Sequence, residues 1–297
     1  MTLVVSRTIG PQLIILADTR VTEHHVRLPR DRGVIKTTLL SPQASISFSN
    51  SPELAARDIR AFRDQYQSDF TFREAVDFFE ISSRNTDNQY FLAFLAPLRA
   101  VKIVAGKAEK SIGQQSWLGD FEAYHRFREY QTNERLGPDL WEATTWSHQL
   151  IPRERRRSFS KLLSSFVQTL RDADIDSAGD FYSVMASVGS EFRYVDLASF
   201  FFDSDPHGNP ITPTSGESLD YKFSVVTPME TGTNACAFYY PHANQGYLFY
   251  SPEAALVADQ CAIYDGSDNV TFSEFCRAKT GVEFVNFVVG HQPSQSK

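Results

Sequence analysis

Thr2 is the residue from which chemistry can start. Threonine is small, so methionine aminopeptidase is expected to remove Met1. That cut would leave a free α-amine on the residue that also carries a hydroxyl. An unperturbed α-amine titrates at about pH 7.7–8.0. It can therefore be neutral near physiological pH and take the proton of its own Oγ. Nucleophile and general base then share one residue, a known way to activate a weak hydroxyl. The arrangement needs a cation close by, to favour the ionised hydroxyl and keep the amine neutral. It also needs a carboxylate to orient that cation. A Met-Thr start alone is weak, because many chains share it.

The element that must position Thr2 is the stretch Thr2–Arg20, TLVVSRTIGPQLIILADTR. Two apolar runs, Leu3–Val5 and Leu13–Leu16, flank Ile9-Gly10-Pro11-Gln12. Strand, Gly/Pro turn, strand is a β-hairpin pattern. The second run ends at Ala17-Asp18-Thr19-Arg20, where buried sequence gives way abruptly to charge. Val21–Arg32 is polar and reads as a loop or hairpin beside the site. Its neighbours His24 and His25 would point to opposite faces of a strand, so they are not read as a metal pair. Lys36 follows at the end of Val34-Ile35-Lys36.

This stretch resembles the start of a proteasome β-subunit, and of the related bacterial two-component threonine protease. Both are N-terminal-nucleophile hydrolases. In that family the mature chain opens with threonine and an A-D-x-R sequence ends the second strand. The catalytic aspartate comes sixteen residues after the threonine, which is the spacing of Thr2 and Asp18, and Arg20 falls on the family's arginine. The resemblance implies that Lys36 is the catalytic lysine, at a spacing two residues longer than is common. It implies an oxyanion-hole N–H at Asn50, where the family has glycine. Asparagine tolerates unusual φ and adds a side-chain donor, but it lets a substrate backbone approach less closely.

Two further matches are looser. The family's small-Gly-Ser step, whose serine supports the N-terminal amine, is replaced by Leu118-Gly119-Asp120. Asp120 could accept hydrogen bonds from the ammonium, or it could equally be a helix N-cap. In RDADIDSAGD, Asp174 and Ser177 match the spacing of an aspartate and a serine that also support the amine; Asp172 is a rival for the first role.

The implied fold is α+β, a four-layer α-β-β-α sandwich over residues 1–200, with residues 201–297 elaborating the same domain. The implied function is a threonine-type amide hydrolase, most simply a proteasome-like peptidase. Its substrate would be a peptide or a small amide, and no cofactor or metal is required. Family members form rings and often work with an ATPase, so a homo-oligomer and an ATPase partner are expected. The missing oxyanion glycine and the altered L-G-D step leave a second reading open, a non-catalytic subunit or assembly protein on the same fold. A small-molecule amidase is a third.

Composition fits this frame. The 297 residues are 42% hydrophobic and 22% charged, with net charge −7 and no basic tail, which argues against a nucleic-acid partner. Three cysteines, Cys236, Cys261 and Cys276, lie far apart without CxxC spacing and read as thiols of a reducing, cytoplasmic compartment. No apolar run approaches the ~20 residues that span a bilayer, and the N-terminus does not read as a signal peptide.

Periodicity then predicts helices over Glu53–Tyr66, Thr71–Ser83, Glu122–Thr132 and Arg153–Leu170. Another runs from Ser251 to about Ala262, and the last opens on a capping box, Thr271–Glu274. Strands are predicted at Ala44–Phe48, Tyr90–Ala96, Ala100–Ala105, Phe181–Val188 and Arg193–Phe202. Three more follow at Lys222–Val226, Cys236–Tyr240 and Gly246–Tyr250. Sheet, helix pair, sheet fits the family's order but also several layered folds.

Overall fold

The structure is a computed structural model. It describes residues 2–23, 26–27, 33–67, 69–111, 115–132, 143–144, 151–172, 174–175, 181–200, 221–230, 232–240, 243–254, 261–266 and 270–284. Met1, His24, His25 and Ser177 lie outside the described residues.

The fold is α+β, with antiparallel sheets and helices laid on them. The first hairpin is β1 (Leu3–Ile9) and β2 (Gln12–Asp18). Ile9 pairs with Gln12, so Gly10-Pro11 is a two-residue turn, with Gly10 at φ +59. Arg155 backs that turn: a Cβ on Gly10 would lie 2.9 Å from its Nε. The short pair β3 (Thr22–Glu23) and β4 (Val26–Arg27) follows. Next come β5 (Thr37–Ser41), β6 (Ala44–Ser49), α1 (Pro52–Tyr66) and α2 (Phe72–Ser83). Then β7 (Gln89–Phe94), β8 (Arg99–Val104) and β9 (Lys107–Lys110) complete the sheet β5-β6-β7-β8-β9.

The chain returns through β10 (Ser116–Gly119) to α3 (Phe121–Thr132) and β11 (Ala143–Thr144). After a 3-10 turn at Arg153–Arg155 come α4 (Arg156–Arg171), β12 (Tyr182–Val188) and β13 (Glu191–Tyr194). The second five-stranded sheet has the order β10-β1-β2-β12-β13. The remaining elements are β14 (Leu197–Phe200), β15 (Tyr221–Val226), β16 (Ala235–Tyr240), β17 (Gln245–Tyr250), β18 (Ala262–Tyr264) and α5 (Phe272–Thr280). With β11 these strands form a six-stranded sheet, β11-β14-β15-β16-β17-β18.

Helices sit where their apolar stripes demand. α1 and α2 pack on β6, β7, β8 and β9, burying Ile59, Phe62 and Phe79 against Ile46, Phe48 and Ile103. β6 reads ASISFS, and its alternation gives Ile46 and Phe48 to that face. α3 packs on β1, and α4 on β2. The start of α4 is basic, with Arg155, Arg156 and Arg157 and no acidic residue in the first turn. Each such charge costs about 0.3–1 kcal/mol against the helix dipole. Burial of Phe159, Leu162, Leu163, Phe166 and Leu170 contributes about 1.5–3 kcal/mol per side chain, so packing wins.

Three details differ from the periodicity. The single strand expected over Arg193–Phe202 breaks at Val195-Asp196: Arg193 and Tyr194 end β13, while Leu197–Phe200 form β14 in another sheet, and Phe201 and Phe202 lie outside the described residues. The helix expected from Ser251 to about Ala262 falls mostly on residues 255–260, which lie outside the described residues; its start is a turn at Pro252–Ala254, and Ala262–Tyr264 form an edge strand on β17. Ile263 is exposed and Tyr264 buried there, the alternation of a strand. β10 was not expected as a strand; its pairing with β1 supplies the order that its short sequence lacks. Among the described residues no helix is long and apolar enough to cross a membrane.

Candidate active site

The N-terminus enters a sheet rather than trailing into solvent. β1 is held on both sides, by β10 and β2, and Thr2 is only 1% exposed. Leu3 pairs with Gly119, and the Asp120 N–H donates to the Thr2 carbonyl at 2.8 Å. Gly119 makes this possible. It sits at φ +96, and a Cβ there would be 1.8 Å from the Thr2 carbonyl oxygen. Only a residue without a side chain lets the two strands meet so closely.

Asp18 ends β2 one strand away. Its Oδ1 accepts from the Leu3 N–H at 2.9 Å, and its Oδ2 accepts from the Arg20 N–H at 3.1 Å. Lys36 completes the group. Its Nζ donates to both oxygens, at 3.0 Å to Oδ1 and 2.9 Å to Oδ2. Both side chains are buried, 2% exposed for Lys36 and 0% for Asp18. One carboxylate oxygen, Oδ1, therefore binds both the ammonium and the peptide N–H that follows Thr2. Sequence spacing brings Asp18 there along a hairpin; Lys36 arrives from the bend that leads into β5, a strand of a different sheet.

Removal from water lowers the Lys36 pKa from its ordinary value, and the attraction of Asp18 opposes that shift only in part; Arg20 adds to the lowering. A buried ion pair is weak evidence for stability, because desolvation offsets much of the attraction. It is better evidence for a site where a cation of reduced proton affinity is wanted.

The other expected residues are placed differently. Asn50 is at φ +79, the left-handed region that favours glycine, and it is exposed. Its side-chain amide is turned to the carbonyl of Asp87. The Asp120 carboxylate caps α3, accepting from the Glu122 and Ala123 N–H groups at 2.7 and 3.4 Å, while its backbone N–H holds Thr2. Asp174 is 78% exposed and lies 3.5 Å from the Arg126 guanidinium. Its rival Asp172 is engaged by Arg126 at 3.0 Å and by the Tyr130 hydroxyl at 2.9 Å, which ties the end of α4 to α3. Neither is gathered with Thr2 among the described residues, and Ser177 lies outside them.

No protein-family model matches the chain. No curated protein matches it either.

The structure brings Lys36 onto Asp18 and Asp18 onto the peptide N–H that follows Thr2, while Gly119 and the Asp120 N–H fix the Thr2 backbone. Gly119 was visible in the sequence only as part of a departure from a motif. Its role needed the register of β10 on β1. Ser183 adds another feature: it pairs with Ala17 in the same sheet, and its hydroxyl is buried with no hydrogen-bond partner among the described residues. Among the described residues, no group of three His, Cys, Asp or Glu could hold a metal ion.

Proposed function

We propose that the protein is a threonine-type amide hydrolase of the N-terminal-nucleophile kind, acting on peptides or small amides after loss of Met1. In this reading the two five-stranded sheets with α1–α2 and α3–α4 form the four-layer α-β-β-α sandwich. The observation that carries it is the buried Lys36–Asp18 pair whose carboxylate oxygen also binds the Leu3 N–H. A structural ion pair has no need to be tied to the peptide N–H that follows Thr2.

In the proposed mechanism the Thr2 amine, once free and neutral, takes the proton from Oγ. Oγ attacks the substrate carbonyl, and the Lys36 ammonium favours the developing alkoxide. The Asn50 N–H would receive the oxyanion, at the position where the family has glycine; the Asn50 backbone is left-handed, at φ +79. The protonated amine then gives its proton to the leaving nitrogen, and the acyl group stays on Oγ as an ester. Water, deprotonated by the same amine, releases the acid. Asp18 keeps Lys36 oriented throughout and accepts no proton. Self-association and an ATPase partner belong to the same proposal.

One observation favours the second reading, a non-catalytic subunit on the same fold. The carboxylates expected to hold the amine are engaged elsewhere, Asp120 as a cap and Asp174 on the surface. Intact mass spectrometry separates the two. Protein made in a cell with normal methionine aminopeptidase should lack Met1 and gain one acyl adduct from a β-lactone. The Thr2→Ala variant should fold and melt like the parent, with no adduct and no hydrolysis. Retained Met1 and an unreactive Thr2 would decide for the non-catalytic reading.

A further inference from the structure

The three residues that end in Lys36 are held from three sides, by the end of β2, by β17 and by β6. The Val34 N–H donates to the Thr19 carbonyl at 2.8 Å, just beyond β2. The Ile35 N–H donates to the Tyr250 carbonyl at 2.9 Å, on β17 of the C-terminal sheet. The Lys36 carbonyl accepts from the Phe48 N–H at 3.0 Å, on β6. Val34 and Ile35 are fully buried, so each of these bonds replaces a bond to water that cannot be made. β18 pairs with β17 only as far as Leu248, which leaves the Tyr250 carbonyl for Ile35.

The C-terminal sheet grips the other side of Lys36 as well. The Asn234 side chain meets the backbone of Leu39 in β5 twice: Leu39 N–H donates to Oδ1 at 2.7 Å, and Nδ2 donates to the Leu39 carbonyl at 3.0 Å. An amide side chain here pairs with β5 as a neighbouring strand would. The Tyr194 hydroxyl donates to the Thr37 carbonyl at 2.7 Å and lies 3.1 Å from Asn234 Oδ1. Gly33 rests against the Phe249 ring, and a Cβ there would come 2.8 Å from Cε1 and 2.9 Å from the Thr19 carbonyl.

We infer that the six-stranded C-terminal sheet is the positioning element for Lys36, holding the segment around it from Tyr250 at Ile35 on one side and from Asn234 at Leu39 on the other. The inference rests on the role proposed for Lys36. It assigns a task to a third of the chain for which the sequence offered none. A sheet that served only to cover the core would need apolar contact, which Phe238 and Phe249 already give. The turn after β17 also binds α1, through Glu253 and Arg63, but the bonds from Tyr250 and Asn234 fall on Ile35 and Leu39, the residues around Lys36. Placement matters at this scale, since an error of about 1 Å at a reacting group can cost roughly 10²-fold in rate.

The test uses the full chain, freed of Met1 and labelled with 15N at lysine. The Lys36 Nζ resonance is assigned by its loss in Lys36→Arg. Asn234→Ala removes both bonds to Leu39, and Gly33→Ala pushes the segment off Phe249. In both variants the Lys36 resonance and its titration should move. The rate of β-lactone capture by Thr2 should fall by about ten- to a hundredfold, with a shifted pH midpoint. A lower melting temperature with the Lys36 signal, its titration and the pH midpoint all at parental values would overturn the inference. If the parent is not captured but the Lys36 signal still moves in the variants, the positioning stands and the threonine nucleophile falls.

Discussion

Two buried aspartates show what separates a site from a scaffold. Asp58, on α1, accepts from the Tyr90 hydroxyl at 2.6 Å and from Arg57 Nε and an Arg57 terminal nitrogen at 2.9 and 2.8 Å. Arg57 is largely in water, so its charge is only partly desolvated. Tyr90 in turn receives Asn88, which fastens the loop at Ser51 through bonds of 2.8 and 3.0 Å. The network ends in backbone and fixes a helix to a sheet. Asp18 has instead a fully buried cation and the N–H next to Thr2. Both carboxylates are satisfied, but only Asp18 holds a charge at high electrostatic cost beside a potential nucleophile.

The largest difference is expected on amidation of each carboxylate. Asp18→Asn leaves the Lys36 ammonium buried without its counter-charge, a loss of about 3–5 kcal/mol in stability. Hydrolysis should fall by about 10²–10⁴-fold, the usual weight of a group that sets a proton transfer. Asp58→Asn keeps an acceptor for Tyr90 and should cost about 1–3 kcal/mol, with activity per folded molecule unchanged. Urea melts and amide hydrolysis by the same preparations check both. Equal loss of activity in the two variants would remove the distinction.

Next in size is the effect of removing the pair entirely. Lys36→Met alone strands Asp18 and should destabilise by about 3–5 kcal/mol. Adding Asp18→Asn takes away the stranded charge, so the double variant should be more stable than either single and still inactive. Such non-additivity is the signature of groups in direct contact. An additive cycle would mean that the pair is solvated and its depressed lysine pKa is without consequence.

Much of the frame was legible in the sequence, and the reasons are local. The β1–β2 hairpin follows from two apolar runs and a Gly-Pro turn. α2 and α5 begin at capping boxes, Thr71–Glu74 and Thr271–Glu274, both formed as the spacing requires. The Asp18 position follows from counting along one hairpin. What could not be read depends on register between distant segments. Gly119 matters because it faces Leu3, and β10 is too short to announce its partner. Asn234 binds Leu39 across 195 positions with nothing in either neighbourhood to mark it. Asp174 matched a spacing, but its helix end is clamped by Asp172 and Arg126, which leaves Asp174 outside.

A smaller effect distinguishes the two sites by sign. Lys36 has a folded pKa below the 10.5 of the exposed group, chiefly through burial. Between those two values the unfolded chain binds the extra proton, so this group makes stability rise with pH up to 10.5 and contributes no further change above it. Tyr90 is raised above 10.0, first by burial and then by its bond to Asp58. Above 10.0 the unfolded phenol ionises while the folded one keeps its proton, so this group makes stability fall with rising pH. Melting curves across the alkaline range should therefore lose a rising component in Lys36→Met and a falling one in Tyr90→Phe. The same sign of change in both variants would contradict the assignment.

The smallest effect tests whether Asp58 is truly the bland partner in this comparison. Arg57 places two donors on Asp58 Oδ1, yet its side chain is 60% exposed. Water screens its charge and can replace its hydrogen bonds, so Arg57→Ala should cost under about 1 kcal/mol. The Tyr90 hydroxyl remains on Oδ2, and Oδ1 gains access to solvent. The same truncation at Lys36 leaves Asp18 without its cation at a position only 2% exposed, out of reach of bulk solvent. A loss above about 3 kcal/mol in Arg57→Ala would show that Asp58 depends on its cation as Asp18 does. Burial of the carboxylate, rather than burial of its partner, would then be the common cause, and the electrostatic cost at Lys36 would no longer set Asp18 apart from Asp58.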